Sequence, residues 1–328
     1  MSLTEHVSEL AGKPVVTFDP QAPFDFGASV PRLALDWEAH VNGLGMNDIL
    51  GDLLRRPDVG RVEGLVFGPW DFLSSINSSV IVDALVAAKD RLPLLRAVFL
   101  GDILDGEQEL AWIAQSDLTP LAAAFPHLES LRIRGSGGLS LAGLANPNLR
   151  SLVVESAGLS TDVVRAVLAA KLPALEELEL WIGSASHGAT LAIEEWGPLF
   201  AGEHFPALRR LALRNAENAD ALAAAIAIAP IVSRLKKLDL SLGTLSDTGA
   251  EALLASPEVA QLEDLDVRKS YISPEIVKRF HALVPVIVDI RGSRFGKEEG
   301  APRPSTIPPK REFELPLARM RSKSRRRA

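Results

Sequence analysis

The sequence predicts an α/β solenoid, a curved parallel sheet backed by helices, and three observations predict it. The pattern L-x-x-L-x-L begins at Leu128, Leu149, Leu175, Leu208, Leu235 and Leu262, at spacings of 21, 26, 33, 27 and 27 residues. Self-similarity at that period marks stacked units that bury their apolar faces only against one another. Inside each block the alternation points the leucines to one side of a short strand and the residues between them to the other. After the blocks, apolar stripes at helical spacing follow Ser, Pro and acidic start signals.

Taken in chain order, three degenerate blocks come first, at Val30/Leu33/Leu35, Val62/Leu65/Phe67 and Leu95/Val98/Leu100. Six regular strands follow, from Leu131/Ile133 to Leu265/Val267. The run VDIRGS (Val288 to Ser293) echoes LRIRGS (Leu131 to Ser136) and puts a last strand near Pro285 to Ile290. Helices are expected over 160–170, 220–229 and 245–254, the last with Gly249 and Ala250 allowing close approach to a neighbour. Another begins at Ser273-Pro274-Glu275, with Ser as N-cap and Pro at the first helical position. Extra residues at 103–124 and 183–204 read as longer helices on the outer side, or as loops that form or cover a site.

These elements divide the chain into an N-terminal cap with one degenerate repeat (1–60), a repeat array (61–292) and a basic, proline-rich tail (293–328) expected to be disordered. Residues 310–328 carry +6, which leaves −13 of the total −7 on residues 1–309. No apolar run reaches the roughly 20 residues of a membrane span. The opening MSLTEHVSEL has neither the basic nor the apolar part of a secretory signal. Absence of cysteine excludes disulfides and thiolate metal sites and fits a cytoplasmic protein.

The blocks LEDLDVRKSYI (262–272) and LKKLDLSLGTL (235–245), with LSDTGAEALL (245–254), resemble leucine-rich repeats of the ribonuclease-inhibitor-like class. The stretches RLPLLRAVFLGDI (91–103) and LPALEELELWIGS (172–184) are similar to a group of uncharacterised bacterial leucine-rich repeat proteins. The resemblance implies a horseshoe that binds a protein or peptide on its concave sheet, and it implies no activity. One departure stands out. The ninth position of the repeat, usually Asn or Cys, is Ala157, Gly183, Ala216, Gly243 or Ser270, so the usual Asn ladder is missing.

Strand alternation also lists the residues of the leucine-free face. Its central row runs Val66, Phe99, Arg132, Val153, Glu179, Ala212, Asp239, Asp266, Asp289. The early, apolar end is expected to lie under the N-terminal segment. The later end is densely charged, and Arg132, Arg134, Glu177, Glu179, Trp181, Arg210, Arg214, Asp239, Asp266 and Arg268 form the candidate binding surface. Trp181 is expected to point outward as an aromatic anchor, unless the 183–204 insertion covers it.

Catalytic signals are weak. The six histidines have no metal-ligand spacing, and His127 and His204 sit beside turns that enter strands. GSGGLS (135–140) lacks the third glycine and the acid of a dinucleotide loop. Glu177 and Glu179 near His187 are the one acid/base group worth naming. The expectation is therefore a monomeric, non-enzymatic protein- or peptide-binding module without cofactor or metal. Two other readings are nucleic-acid or anionic-surface association through the tail, disfavoured because residues 318–328 hold no aromatic for stacking, and an accessory subunit of a biosynthetic enzyme cluster.

Overall fold

The computed structural model describes residues 5–73 and 75–283 and the backbone of 287–289. The basic tail lies outside the described residues. One sheet organises the chain, and its strand order follows the sequence from first to last. The strands are β1 (Glu9–Leu10), β2 (Lys13–Thr17), β3 (Val30–Leu33), β4 (Gly64–Phe67), β5 (Ala97–Leu100), β6 (Ser130–Arg134), β7 (Ser151–Glu155), β8 (Glu177–Trp181), β9 (Arg210–Arg214), β10 (Lys237–Asp239), β11 (Asp264–Asp266) and β12 (Ile287–Asp289). Among these, β1 alone is antiparallel; it forms a hairpin with β2. The connecting Ala11 and Gly12 both have positive φ (55° and 72°), the conformation that two-residue hairpin turns require. From β2 onward every pairing is parallel, each reached by a crossover of a dozen residues or more that runs through a helix except between β2 and β3 and between β6 and β7.

The register is the one that alternation gives. Val66 pairs with Phe99, Phe99 with Arg132, Arg132 with Val153, and so on through Glu179, Ala212, Asp239, Asp266 and Asp289. The leucines on either side of this row, such as Leu131, Leu152, Leu178 and Leu211, are fully buried and form one long core. Sequence reading missed β1 and β2. Neither carries the leucine pattern, and the half-exposed KPVVT strand has no core face of its own.

The helices are α1 (Trp37–Val41), α2 (Met46–Arg55), α3 (Ser79–Ala87), α4 (Thr119–Ala124), α5 (Thr161–Leu168), α6 (Gly197–Phe200), α7 (Ala219–Ala227), α8 (Asp247–Leu254) and α9 (Pro274–Ala282). Their starts follow local chemistry. Ser160 accepts from the Val163 N–H, and Ser273 accepts from the Ile276 N–H with Pro274 at the first position. Val163, Val164 and Val167 of α5 bury the stripe that faces the leucines. A Cβ on Gly249 would lie 2.7 Å from the Asp220 Cα, so glycine sets the close approach of α7 and α8.

The two insertions are not single long helices. Residues 103–124 fold as a short 3-10 turn at Leu110–Trp112 and then α4. Residues 183–204 fold as two 3-10 turns and the four-residue α6, where buried Trp196 stacks on Phe200. Glycine and proline punctuate both stretches too often for a continuous helix.

No Asn stands at the ninth position of the L-x-x-L-x-L blocks. The ninth-position residues stack directly: a Cβ on Gly183 would fall 1.9 Å from the Ala157 carbonyl oxygen, and one on Gly243 would fall 2.8 Å from that of Ala216. Asn215, Leu242 and Lys269, one residue earlier, take left-handed backbone conformations (φ 56°, 68° and 56°) to complete the turn. On the helical side, carboxylates bridge successive units. Asp220 accepts from the backbone N–H of Ser246, and Asp247 accepts from that of Ser273.

Candidate functional site

The leucine-free face of the sheet changes character along its length. At its start, Val7 packs on Val30, Val66 and Phe99, with Leu10 and Val15 against them. The N-terminal segment therefore closes this end, where β3 to β5 offer small and apolar groups and the single charged side chain of Arg32. A buried polar cluster fastens it. Asp102, fully buried, accepts from the Val7 N–H (3.1 Å) and from Arg32 Nε (2.6 Å), and His6 Nδ1 lies 3.0 Å from Asp102 Oδ2. Sequence reading missed this cluster, since His6, Arg32 and Asp102 share no motif and meet only through the sheet.

The charged half begins where Arg132 and Arg134 lie over the Phe99 ring at 4.6 and 5.3 Å. Both guanidinium groups turn back onto buried Glu155. Arg134 also donates to the Ile103 carbonyl at 2.7 Å. Next comes a buried group of four. Arg214 stacks on Trp181 (4.9 Å) and contacts Glu179 Oε1 at 2.8 Å and Asp239 Oδ2 at 3.3 Å. Trp181 Nε1 donates to the same Glu179 oxygen at 2.7 Å. Beyond it Arg268 grips Asp266 through Nε at 2.8 Å.

Trp181 is thus not an outward anchor. It does stand on the leucine-free side, as alternation requires, but it is 2% exposed. The Arg214 guanidinium, its own charge held by two carboxylates, stacks on the Trp181 ring. A long side chain on the next strand can bury an aromatic that single-strand alternation places in solvent. Arg134, Glu179, Arg214 and Asp239 are buried as well. Solvent reaches Arg268, whose side chain is 37% exposed, and the positions nearer the strand starts. Arg210, paired with Glu177 at 2.9 Å, and Lys237, 3.5 Å from Asp264, have side chains 42% and 51% exposed.

Together these residues enclose a cleft of about 370 Å³, lined by β6 to β11 and walled at one end by Val7, Glu9 and Leu10. Arg132, Arg134, Arg210, Arg214, Lys237 and Arg268 are equalled in number by Glu155, Glu177, Glu179, Asp239, Asp264 and Asp266, several of them shared between pairs, so this group is charge-dense without a net sign. Burial raises the Glu179 carboxyl, but Arg214, the Trp181 N–H and Arg210 outweigh it and hold Glu179 below the usual range. Asp239 goes the other way. Burial pushes it up, Arg214 only partly offsets this, and neighbouring Asp266 adds to the rise.

The structure does not assemble the acid/base group. Glu179 is committed to Arg214 and Trp181, while His187 Nδ1 lies 2.9 Å from the Ser184 hydroxyl. His204 lies against Phe205, and its carbonyl accepts from Arg234. In the 135–140 loop Gly135 has φ +92° and no room for a Cβ beside Ile113, which makes it a packed turn. Among the described residues no three His, Asp or Glu side chains cluster as metal ligands, and no helix is long and apolar enough to cross a membrane.

Comparison with solved structures gives a crystal structure of a Bacteroides fragilis protein, 30% identical, that superposes with a TM-score of 0.75 over 80% of this chain and 74% of that one. The chain belongs to the family of that protein. The family shares this architecture of one mostly parallel sheet with intervening helices. An internalin from Listeria monocytogenes matches at 12% identity over 83% of this chain and 80% of that one, with a TM-score of 0.29. No family model and no curated protein matches.

Proposed function

We propose that this chain is a non-catalytic binding scaffold, a leucine-rich-repeat solenoid that holds an extended protein or peptide segment in the cleft over β6 to β11. The cleft carries the reading. Its floor is a set of mutually satisfied, buried ion pairs, and its solvent-facing rim offers both signs of charge through Arg210, Lys237 and Asp264. Preformed side chains of that kind bind without first losing their own freedom. An extended peptide, with alternating donors, acceptors and side-chain charges, matches a face that has no net sign. The repeat of strand, turn and helix in strict chain order and the stacked ninth positions support the solenoid.

The test is selection of a displayed random-peptide library on the full chain. Enriched peptides are then measured against the Arg210→Glu/Lys237→Glu double variant, whose side chains are exposed enough to leave the fold alone. Loss of binding at an unchanged melting temperature supports the cleft. Equal affinity for the variant, or no enrichment at all, overturns the assignment.

A further inference from the structure

A second surface lies away from the cleft, on the loops that leave β3, β4 and β5. Three backbone and side-chain contacts tie these loops into one edge. The Leu35 N–H donates to the Pro69 carbonyl (2.8 Å), the Ser78 N–H donates to that of Ala114 (3.2 Å), and the Ser78 and Ser116 hydroxyls meet at 2.9 Å. On this edge Trp37 packs edge-on against Phe72 at 5.7 Å, and His40 closes the aromatic group at 5.6 Å from Phe72. Around it Val41, Leu44, Leu73 and Ile76 are exposed, Leu73 to 65%.

This exposure is built into the loop. The buried Asp71 carboxylate accepts from the N–H groups of Ser75 (2.6 Å) and Ile76 (3.1 Å), and Trp70 Nε1 donates to the Ile76 carbonyl at 3.2 Å. Those bonds fix the turn that presents Leu73 and Ile76 to solvent. Contiguous apolar surface held outward in this way marks a contact site.

Charge says what kind of partner fits. Residues 34–48, 68–78 and 101–118 hold no Lys or Arg and nine Asp or Glu, of which Asp71 and Asp102 are buried and the other seven reach solvent at least in part. Asp36 and Glu38, the neighbours of Trp37 in the chain, are exposed, and so is Asp48. We propose that this aromatic, acid-rimmed edge docks a basic amphipathic peptide segment of another protein. Its apolar residues would seat on Trp37, Phe72, Leu73 and Ile76, and its Arg or Lys side chains would face the carboxylates. A second copy of the chain would set acid against acid across a two-fold axis. An anionic bilayer would be repelled by the same rim.

The probe is a fluorescein-labelled 16-residue peptide with Leu at i, i+3, i+4 and i+7 spacing and Arg elsewhere, together with a twin in which every Arg is Glu. Fluorescence anisotropy with the full chain should show the Arg peptide binding and weakening as salt rises, and the Glu twin should not bind. Leu73→Lys and, separately, Glu38→Lys should each weaken binding about tenfold, the cost of losing one good contact. Thermal unfolding confirms that these exposed substitutions leave the fold intact. Equal binding of the Glu twin, or no change in Leu73→Lys, overturns the proposal. So does capture by phosphatidylcholine vesicles, or a dimer in sedimentation velocity, that Leu73→Lys abolishes, since the surface then has a different occupant.

Discussion

Arg214 Nη1 lies 2.8 Å from Glu179 Oε1, with both side chains less than a tenth exposed, and the same guanidinium covers the ring of Trp181. One cation on β9 thereby fixes two carboxylates and an indole on the strands to either side of it. Glu179→Gln should destabilise the fold by up to roughly 3 kcal/mol, because it removes the nearer of the two carboxylates that hold the buried Arg214 charge. Chemical denaturation at neutral pH measures this.

The same pair gives a pH dependence of known sign. The folded Glu179 carboxyl is held below its ordinary value of 4.5, so its stabilisation is complete above pH 4.5 and is lost as pH falls through the lower folded value. Asp239, raised above its ordinary 3.8, opposes folding at neutral pH, and that opposition is relieved as acid protonates it in the folded state. Asp239→Asn should therefore cost less than Glu179→Gln at pH 7. Unfolding curves for both variants between pH 3 and 7 should separate, with the Glu179→Gln deficit shrinking toward the acid end.

Trp181→Ala should cost about 3–5 kcal/mol and lower the melting temperature, as removal of a large core side chain does. A change confined to an exposed interface would leave the melting temperature where it was.

Gly183→Ala should destabilise by at least about 2 kcal/mol through its positive φ alone. The added Cβ would also sit inside the Ala157 carbonyl. Gly143→Ala, at a positive φ with open space around it, should show only the backbone part. The difference between the two melting curves measures the stacking of ninth positions.

Val7→Asp should raise binding of an apolar dye and lower stability by about 2 kcal/mol, because it places an unpaired charge on Val66 and Phe99. The parent chain, with that end closed, should bind little dye.

Much of this fold is legible because one local pattern is repeated. Leu131, Leu152, Leu178 and Leu211 each announce a strand, and alternation then gives the cross-strand register through Asp239 and Asp266 without further information. The hairpin Glu9 to Thr17 is not legible, since it pairs at the sheet end and its apolar contacts are to Val30, Val66 and Phe99, far along the chain. Of the face, identity and neighbours can be read, but depth cannot. Whether Trp181 meets solvent depends on where Arg214 folds, and a rotamer on the next strand leaves no mark in the local sequence. The bridging carboxylates do leave one: Asp220 and Asp247 lie 27 residues apart, each in the first turn of a helix.

The two-residue β1 has an effect beyond the chain itself. A parallel sheet that began at β2 would present a row of free N–H and C=O groups to any other strand it met. By turning back antiparallel and stopping after Leu10, the chain offers newcomers a template too short to extend. A strand from another copy would find little there to pair with.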